Sequence, residues 1–218
     1  MAAYAGIAAS PHSAALVIAP QALTVVVSNQ TAVPDDDLER ALSVATRIFR
    51  SAALDVEWIT LEEFAGLAPD ETDAFAAYAA SVVHVRFVEE AAPPVDARRH
   101  VLGSVASGSS VAYVFADRVA AQVLHKQTPA GMLLGHVIAH EVGHVLLGPG
   151  AHARSGIMRA RLHHTNVTSG HLSFGPAQAV AIRRSTAARQ ARHVRYAQGD
   201  PQMALLRESD LAGLRSGC

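Results

Sequence analysis

From Met132 to Leu147 the chain is apolar on nearly every side, with Met132, Leu133, Val137, Ile138, Val145, Leu146 and Leu147 leaving no polar face for water. A helix of that kind belongs inside a fold. Three groups in it resist burial: His140, Glu141 and His144, which spell H-E-x-x-H. Taking two imidazoles and a carboxylate out of water is costly unless something pairs them, and a metal ion supplies such a pairing. The helix is expected to begin near Pro129 and to stop at Gly148-Pro149-Gly150. Gly tolerates the left-handed cap there, and Pro cannot continue a helix.

His140 and His144 stand one turn apart on one helical face, where both imidazoles can reach one tetrahedral zinc ion. Glu141 projects beside that face and can accept a proton from a water held by the ion. Zinc draws that water's pKa toward about 7 and polarises a carbonyl, which together describe hydrolysis of a peptide bond. A catalytic zinc keeps three protein ligands and one open position, so one more side chain is required. No Asp or Glu occurs from Val142 to Gly199, and the single cysteine, Cys218, is the last residue. Histidine remains: His152, His163, His164, His171 or His193. His152 is the choice on reach, because a loop built on Gly148 and Gly150 can bring it back under the ion. His163 and His164 lie beyond Met158, where the chain should be leaving the site, and His171 reads as surface or substrate-facing. His136 reads as a polar residue at the rim or a satisfied core histidine, since a helix cannot bend three successive turns around one ion. Gly143, mid-helix, costs about 1 kcal/mol relative to Ala; close approach by a neighbouring element would account for it.

The rest of the chain has a soluble globular composition: 218 residues, half hydrophobic, 17 per cent charged, net charge −1. It suits one domain with tails, read as a leader over 1–20, a catalytic domain over 21–196 and a tail or short helix over 197–218. Charge is divided unevenly, with net −7 over residues 1–140 and net +6 over 141–218. The basic half lacks aromatic interleaving and any nucleic-acid reader motif, so no nucleic-acid partner is expected. The apolar stretch from Ala14 to Val27 is broken by Pro20 and Gln21 and is too short to span a bilayer. No membrane partner is expected, and a monomer is. No Lys or Arg precedes Arg40, so no secretory n-region is evident, which leaves the compartment open.

Periodicity predicts strands at Leu23–Ser28, Val56–Trp58, Ser81–Val88 and Val111–Phe115. It predicts a long helix with Leu38, Ala41, Leu42, Ala45, Ile48, Phe49 and Ala52 on one face, opened by a cap and negative charge at Pro34-Asp35-Asp36-Asp37. Residues 91–110, rich in Pro, Gly and Ser, read as a long loop. Ser173-Phe174-Gly175-Pro176 opens a last helix through Ala177, Val180, Ala181 and Ile182. One sheet with helices packed on it is the plain reading, α/β or α+β.

The segment from His136 to Met158 resembles the metzincin zinc peptidases, whose motif is H-E-x-x-H-x-x-G-x-x-H followed by a methionine-bearing turn. His140, Glu141 and His144 match, and Ser155-Gly156-Ile157-Met158 looks like the turn. Two departures are plain: the family glycine falls one residue late, at Gly148, and the nearest third histidine, His152, two residues late. No cysteine-switch propeptide is visible, and the structural-zinc cysteines of archaeal-type metzincins are missing. The resemblance implies an α+β (α/β-like) metzincin-like domain, with a twisted, mostly parallel sheet, a long helix, a motif helix and a C-terminal helix. It implies a zinc endopeptidase with Glu141 as general base and Met158 as an apolar floor beneath the ion. It also implies a peptide substrate lying antiparallel along an edge strand, for which Val111, Tyr113 and Phe115 are the candidates beside the alternative of an ordinary core strand. The rival zinc architecture takes a glutamate from a downstream helix, and only Glu208 is available. The competing function is a zinc-binding but catalytically silent recognition module; retention of Glu141 favours catalysis.

Overall fold

The computed structural model describes residues 21–66, 82–89, 101–162 and 164–197. The leader over 1–20, the tail beyond Ala197 and residues 91–100 of the long loop lie outside the described residues. In chain order the elements are β1 (Gln21–Asn29), α1 (Asp35–Arg50), β2 (Leu54–Thr60), α2 (Leu61–Gly66), β3 (Val83–Val88) and β4 (Gly103–Val105). They continue with β5 (Val111–Phe115), α3 (Ala116–Lys126), α4 (Ala130–Leu147), α5 (His164–Ser169) and α6 (Pro176–Ala197). The strands form one sheet in the order β2-β1-β3-β5-β4. Every pairing is parallel except that of β4 with β5. The chain is therefore a mixed α/β fold on a mostly parallel five-stranded sheet.

Alternation along the strands decides which face carries the core. Leu23, Val25 and Val27 of β1 join Val83, Val85 and Phe87 of β3 in the main cluster, under α1, α4 and α6. Val26 points the other way, into a small second cluster with Phe64 of α2 and Val82. His84 shares that opposite face, its ring edge-on to Phe64 at 5.5 Å between centroids.

Helix α1 buries Ala41, Val44, Ala45, Ile48 and Phe49, with Asp35, Asp36 and Asp37 in its first turn and Arg47 and Arg50 in its last. That charge order complements the helix dipole. The expected side-chain cap is absent: the N-cap residue is Pro34, which makes no such bond. The Asp37 carboxylate instead accepts the Gly131 N–H at 3.1 Å. It thereby satisfies an orphan donor in the first turn of α4, a helix that has no side-chain cap of its own. Helix α4 is long and apolar enough to cross a membrane, but most of it is buried within the fold.

Three expectations need correcting. Within the described part of the 91–110 loop, Gly103–Val105 pairs as a strand, held by backbone bonds to β5 rather than by any side-chain pattern. Helix α3 follows β5 unannounced, because it buries Val119 alone while Leu124 is 83% exposed. In α6 the buried positions are Ile182, Thr186 and Arg189, whereas Val180 is exposed. Two polar residues on the buried face conceal its periodicity.

Candidate metal centre

The centre is built on α4 and the loop behind it. Helix α4 ends at Leu147, and the Gly148 N–H donates to the His144 carbonyl at 2.8 Å. Pro149 and Gly150 then turn the chain, so His152 comes back beside the helix. His140, His144 and His152 each present one ring nitrogen, and these nitrogens all lie within 4.8 Å of one another. His140 is buried, His144 half-buried and His152 exposed, so the cluster sits at the edge of the core with one side open.

The hydrogen bonds decide the tautomers of two of these rings. His140 Nδ1 lies 2.8 Å from the Ile157 carbonyl and His144 Nδ1 3.3 Å from the Gly148 carbonyl. A carbonyl can only accept, so each Nδ1 carries the hydrogen and, in the neutral ring, each Nε2 carries a lone pair. Burial first of all, with smaller contributions from the neighbouring His144 and His152, lowers the His140 pKa to about 4 against the opposing Ile157 hydrogen bond. Burial likewise lowers His144. Both rings are neutral at pH 7. Yet His144 Nε2 lies 3.1 Å from His140 Nε2 and also 3.1 Å from His152 Nε2. Lone pairs do not face each other at that distance without a cation between them. Ligand nitrogens about 2.0–2.1 Å from a tetrahedral zinc would stand roughly 3.3 Å apart. The donor set and its spacing fit a metal ion, with backbone carbonyls orienting two of the rings as outer-shell partners usually do.

Glu141 is buried against β4, and burial raises its pKa to about 8. A Cβ on Gly103 would stand 2.6 Å from Glu141 Cγ and 2.7 Å from the Tyr113 carbonyl oxygen. The carboxylate arm occupies the space that a side chain on β4 would take. Beneath α4, Gly143 has the same logic, since a Cβ there would lie 2.5 Å from Met158 Sδ. The close approach expected at Gly143 is thus made by Met158, which is fully buried. The Met158 turn is pinned by the Ala153 N–H donating to the Met158 carbonyl at 2.7 Å, beside His152.

Two further candidates whose side chains are described, His136 and His171, are not part of the cluster. His136 is a core histidine, buried, with Nδ1 2.7 Å from the Met132 carbonyl and its Nε2 without a hydrogen-bond partner among the described residues. His171 is exposed, as expected. His163 lies outside the described residues, as do the side chains of His164 and His193.

Val111–Phe115 is not an edge strand, which corrects the expectation for Val111, Tyr113 and Phe115. It lies between β3 and β4, so its backbone donors and acceptors are already paired on both sides, and Val111 and Phe115 are buried. The edge beside the centre is β4. Residues 103–110, His140, Glu141, His144 and His152 line a cleft of about 970 Å³. A Gly/Ser-rich segment with no apolar alternation had nothing to mark it as that wall.

No protein-family model matches the chain, and no curated protein matches it. Among solved structures it is similar to a zinc-dependent peptidase from Methanocorpusculum labreanum, at 14% identity and a TM-score of 0.53, over 73% of this chain and 99% of that one. It shares that fold. An archaemetzincin from Methanopyrus kandleri is similar at 15% identity with a TM-score of 0.47, over 79% of this chain and 99% of that one.

Proposed function

We propose that this chain is a zinc-dependent endopeptidase of metzincin type, with His140, His144 and His152 as ligands and Glu141 as general base. The observation that carries the reading is the trio of Nε2 atoms, two of them forced by tautomer to hold lone pairs toward one another at 3.1 Å. The shared fold with a zinc-dependent peptidase supports it. When bound, zinc supplies Lewis acidity toward a carbonyl and lowers the pKa of a water toward about 7.

The chain's own residues do the rest. Glu141 takes the proton of the attacking water and returns it to the leaving amine. Burial raises its pKa in the metal-free chain, and a zinc dication beside it would oppose that raise and keep the carboxylate ionised to act as base. The free edge of β4 receives the substrate as an added antiparallel strand, with main-chain bonds that carry little sequence selectivity. Glu141 lies against that strand at Gly103, so base and substrate backbone meet. Met158 is the apolar floor, packed under Gly143 without coordinating.

The test is metal analysis of the purified chain together with chelator-sensitive cleavage of unfolded casein. Glu141→Gln should keep zinc while hydrolysis falls at least about a hundredfold. His152→Ala should lose stoichiometric zinc. A His152→Ala protein that kept its zinc would end the ligand assignment. A wild-type protein that held zinc but cleaved nothing would leave a silent binding module.

A further inference from the structure

The cleft has a lining rich in arginine. Arg159, Arg161, Arg189 and Arg192 line it, and Glu141 is the only acidic residue among the lining residues described. Arg159 belongs to the turn that carries Met158, and its backbone bridges to Ala153, next to His152. Arg161 and Arg192 are exposed. Arg189 is buried and donates from Nη1 to Ser110 Oγ at 3.0 Å, which ties α6 to the wall formed by residues 106–110. Among the described residues no carboxylate pairs with Arg159, Arg161 or Arg192. The sequence supplies none locally, since no acid occurs from Val142 to Gly199. The guanidinium groups of Arg159, Arg161 and Arg192, gathered on a concave lining with no carboxylate partner among the described residues, concentrate positive potential where a ligand enters. Their planar fork matches a carboxylate in two-point contact.

We infer that the cleft selects peptides bearing a carboxylate close to the bond to be cleaved, read by Arg159 and Arg161 with Arg192. This rests on the peptidase reading above and names its substrate class. A nucleic-acid phosphate is the other anion such a wall could meet. Binding a single strand also calls for aromatic side chains on which bases stack, and the described lining contains no Phe, Tyr or Trp. The same lining includes the strand Gly103–Val105, which suits a peptide backbone.

The experiment separates this inference from the peptidase reading by measuring binding as well as cleavage. The zinc-loaded full chain carrying Glu141→Gln is titrated, by fluorescence anisotropy, with peptides that differ only in Glu, Gln or Lys at each position flanking a central bond. At low salt the best Glu peptide should bind about tenfold tighter than its Gln counterpart, as several partly exposed charge pairs would give. The ratio should fall toward one near about 0.5 M salt, where screening is strong. Adding Arg159→Gln and Arg161→Gln should bring the ratio below about threefold, whereas Arg184→Gln, on an exposed arginine outside the cleft lining, should preserve it. Arg161→Glu alone should turn the preference toward Lys, and it keeps the test open if the double variant does not fold. Free and amidated C-termini distinguish a chain-end carboxylate from a side-chain one.

Equal binding of Glu and Gln peptides, a preference for Lys, or discrimination that survives the double variant would each overturn the inference. So would tighter binding of a mixed-sequence oligonucleotide. A wild-type chain that discriminates in binding but cleaves no peptide would overturn the peptidase reading and leave only the arginines' preference for a carboxylate-bearing peptide standing.

Discussion

Helices α1 and α4 pack against the same sheet and the same core, yet they handle their polar groups in opposite ways. Helix α1 keeps its charges at its ends and on its outer face, and buries only apolar side chains. Helix α4 buries His136, His140 and Glu141 along with its apolar residues, and even its first turn borrows a carboxylate from α1. A helix such as α1 is stabilised by what it covers. A helix such as α4 needs partners elsewhere for what it hides: the Ile157 carbonyl serves His140 and the Gly148 carbonyl serves His144, while the Nε2 atoms face one another in a spacing that fits a metal ion. The contrast teaches that the polar content of a buried helix points to chemistry, because water would otherwise be the cheaper partner.

The largest effect that would sharpen the contrast is expected at Gly103, where β4 presses on Glu141. A methyl group there must displace either the carboxylate arm or the strand. Gly103→Ala should therefore lower kcat by up to about a hundredfold, the order expected for a misplacement of about 1 Å. Zinc content should stay unchanged. Gly66→Ala, at a site with open space around it, should stay within about 0.5 kcal/mol of wild-type stability. Full activity in Gly103→Ala would show that Glu141 needs no such fit.

The next effect concerns pH in the metal-free protein. Glu141 has its folded pKa raised from 4.5 to about 8, so above 4.5 the unfolded chain releases a proton that the native state keeps. His140 and His144 are lowered from 6.5; their unfolded forms still shed protons up to about pH 7.5, which offsets part of the Glu141 slope. Between about pH 6.5 and 8 Glu141 outweighs the two histidines, and stability should fall as pH rises, by roughly 1 kcal/mol. Urea unfolding of the chelator-treated protein measures it. Glu141→Gln should flatten the slope, and a wild-type curve already flat would break the account of α4 as a helix strained by its own carboxylate.

The smallest effect is at Met158. Met158→Leu conserves volume, so it should cost less than about 1.5 kcal/mol and keep the metal. A folded Met158→Leu protein without zinc would show that the sulfur coordinates.

Periodicity was enough to read α1 and the first strands, because a helix or strand with one buried face repeats its apolar residues at a fixed spacing, and an unbroken apolar run was enough to read α4. The helix stop at Gly148-Pro149 and the acid-free stretch behind it were equally legible, and they singled out His152, which the structure brings beside His140 and His144. Those are local or subtractive properties of a chain, visible without its fold. The edge was not legible. Nothing in Gly103-Ser104-Val105 distinguishes a strand from a loop, since its place in the sheet comes from backbone bonds to β5, which every residue except proline can donate. Nor could a linear reading tell that Arg159 and Arg192 line one cleft, or that Gly103 leaves room for Glu141. Such facts depend on which distant segments meet, and only the folded chain decides that.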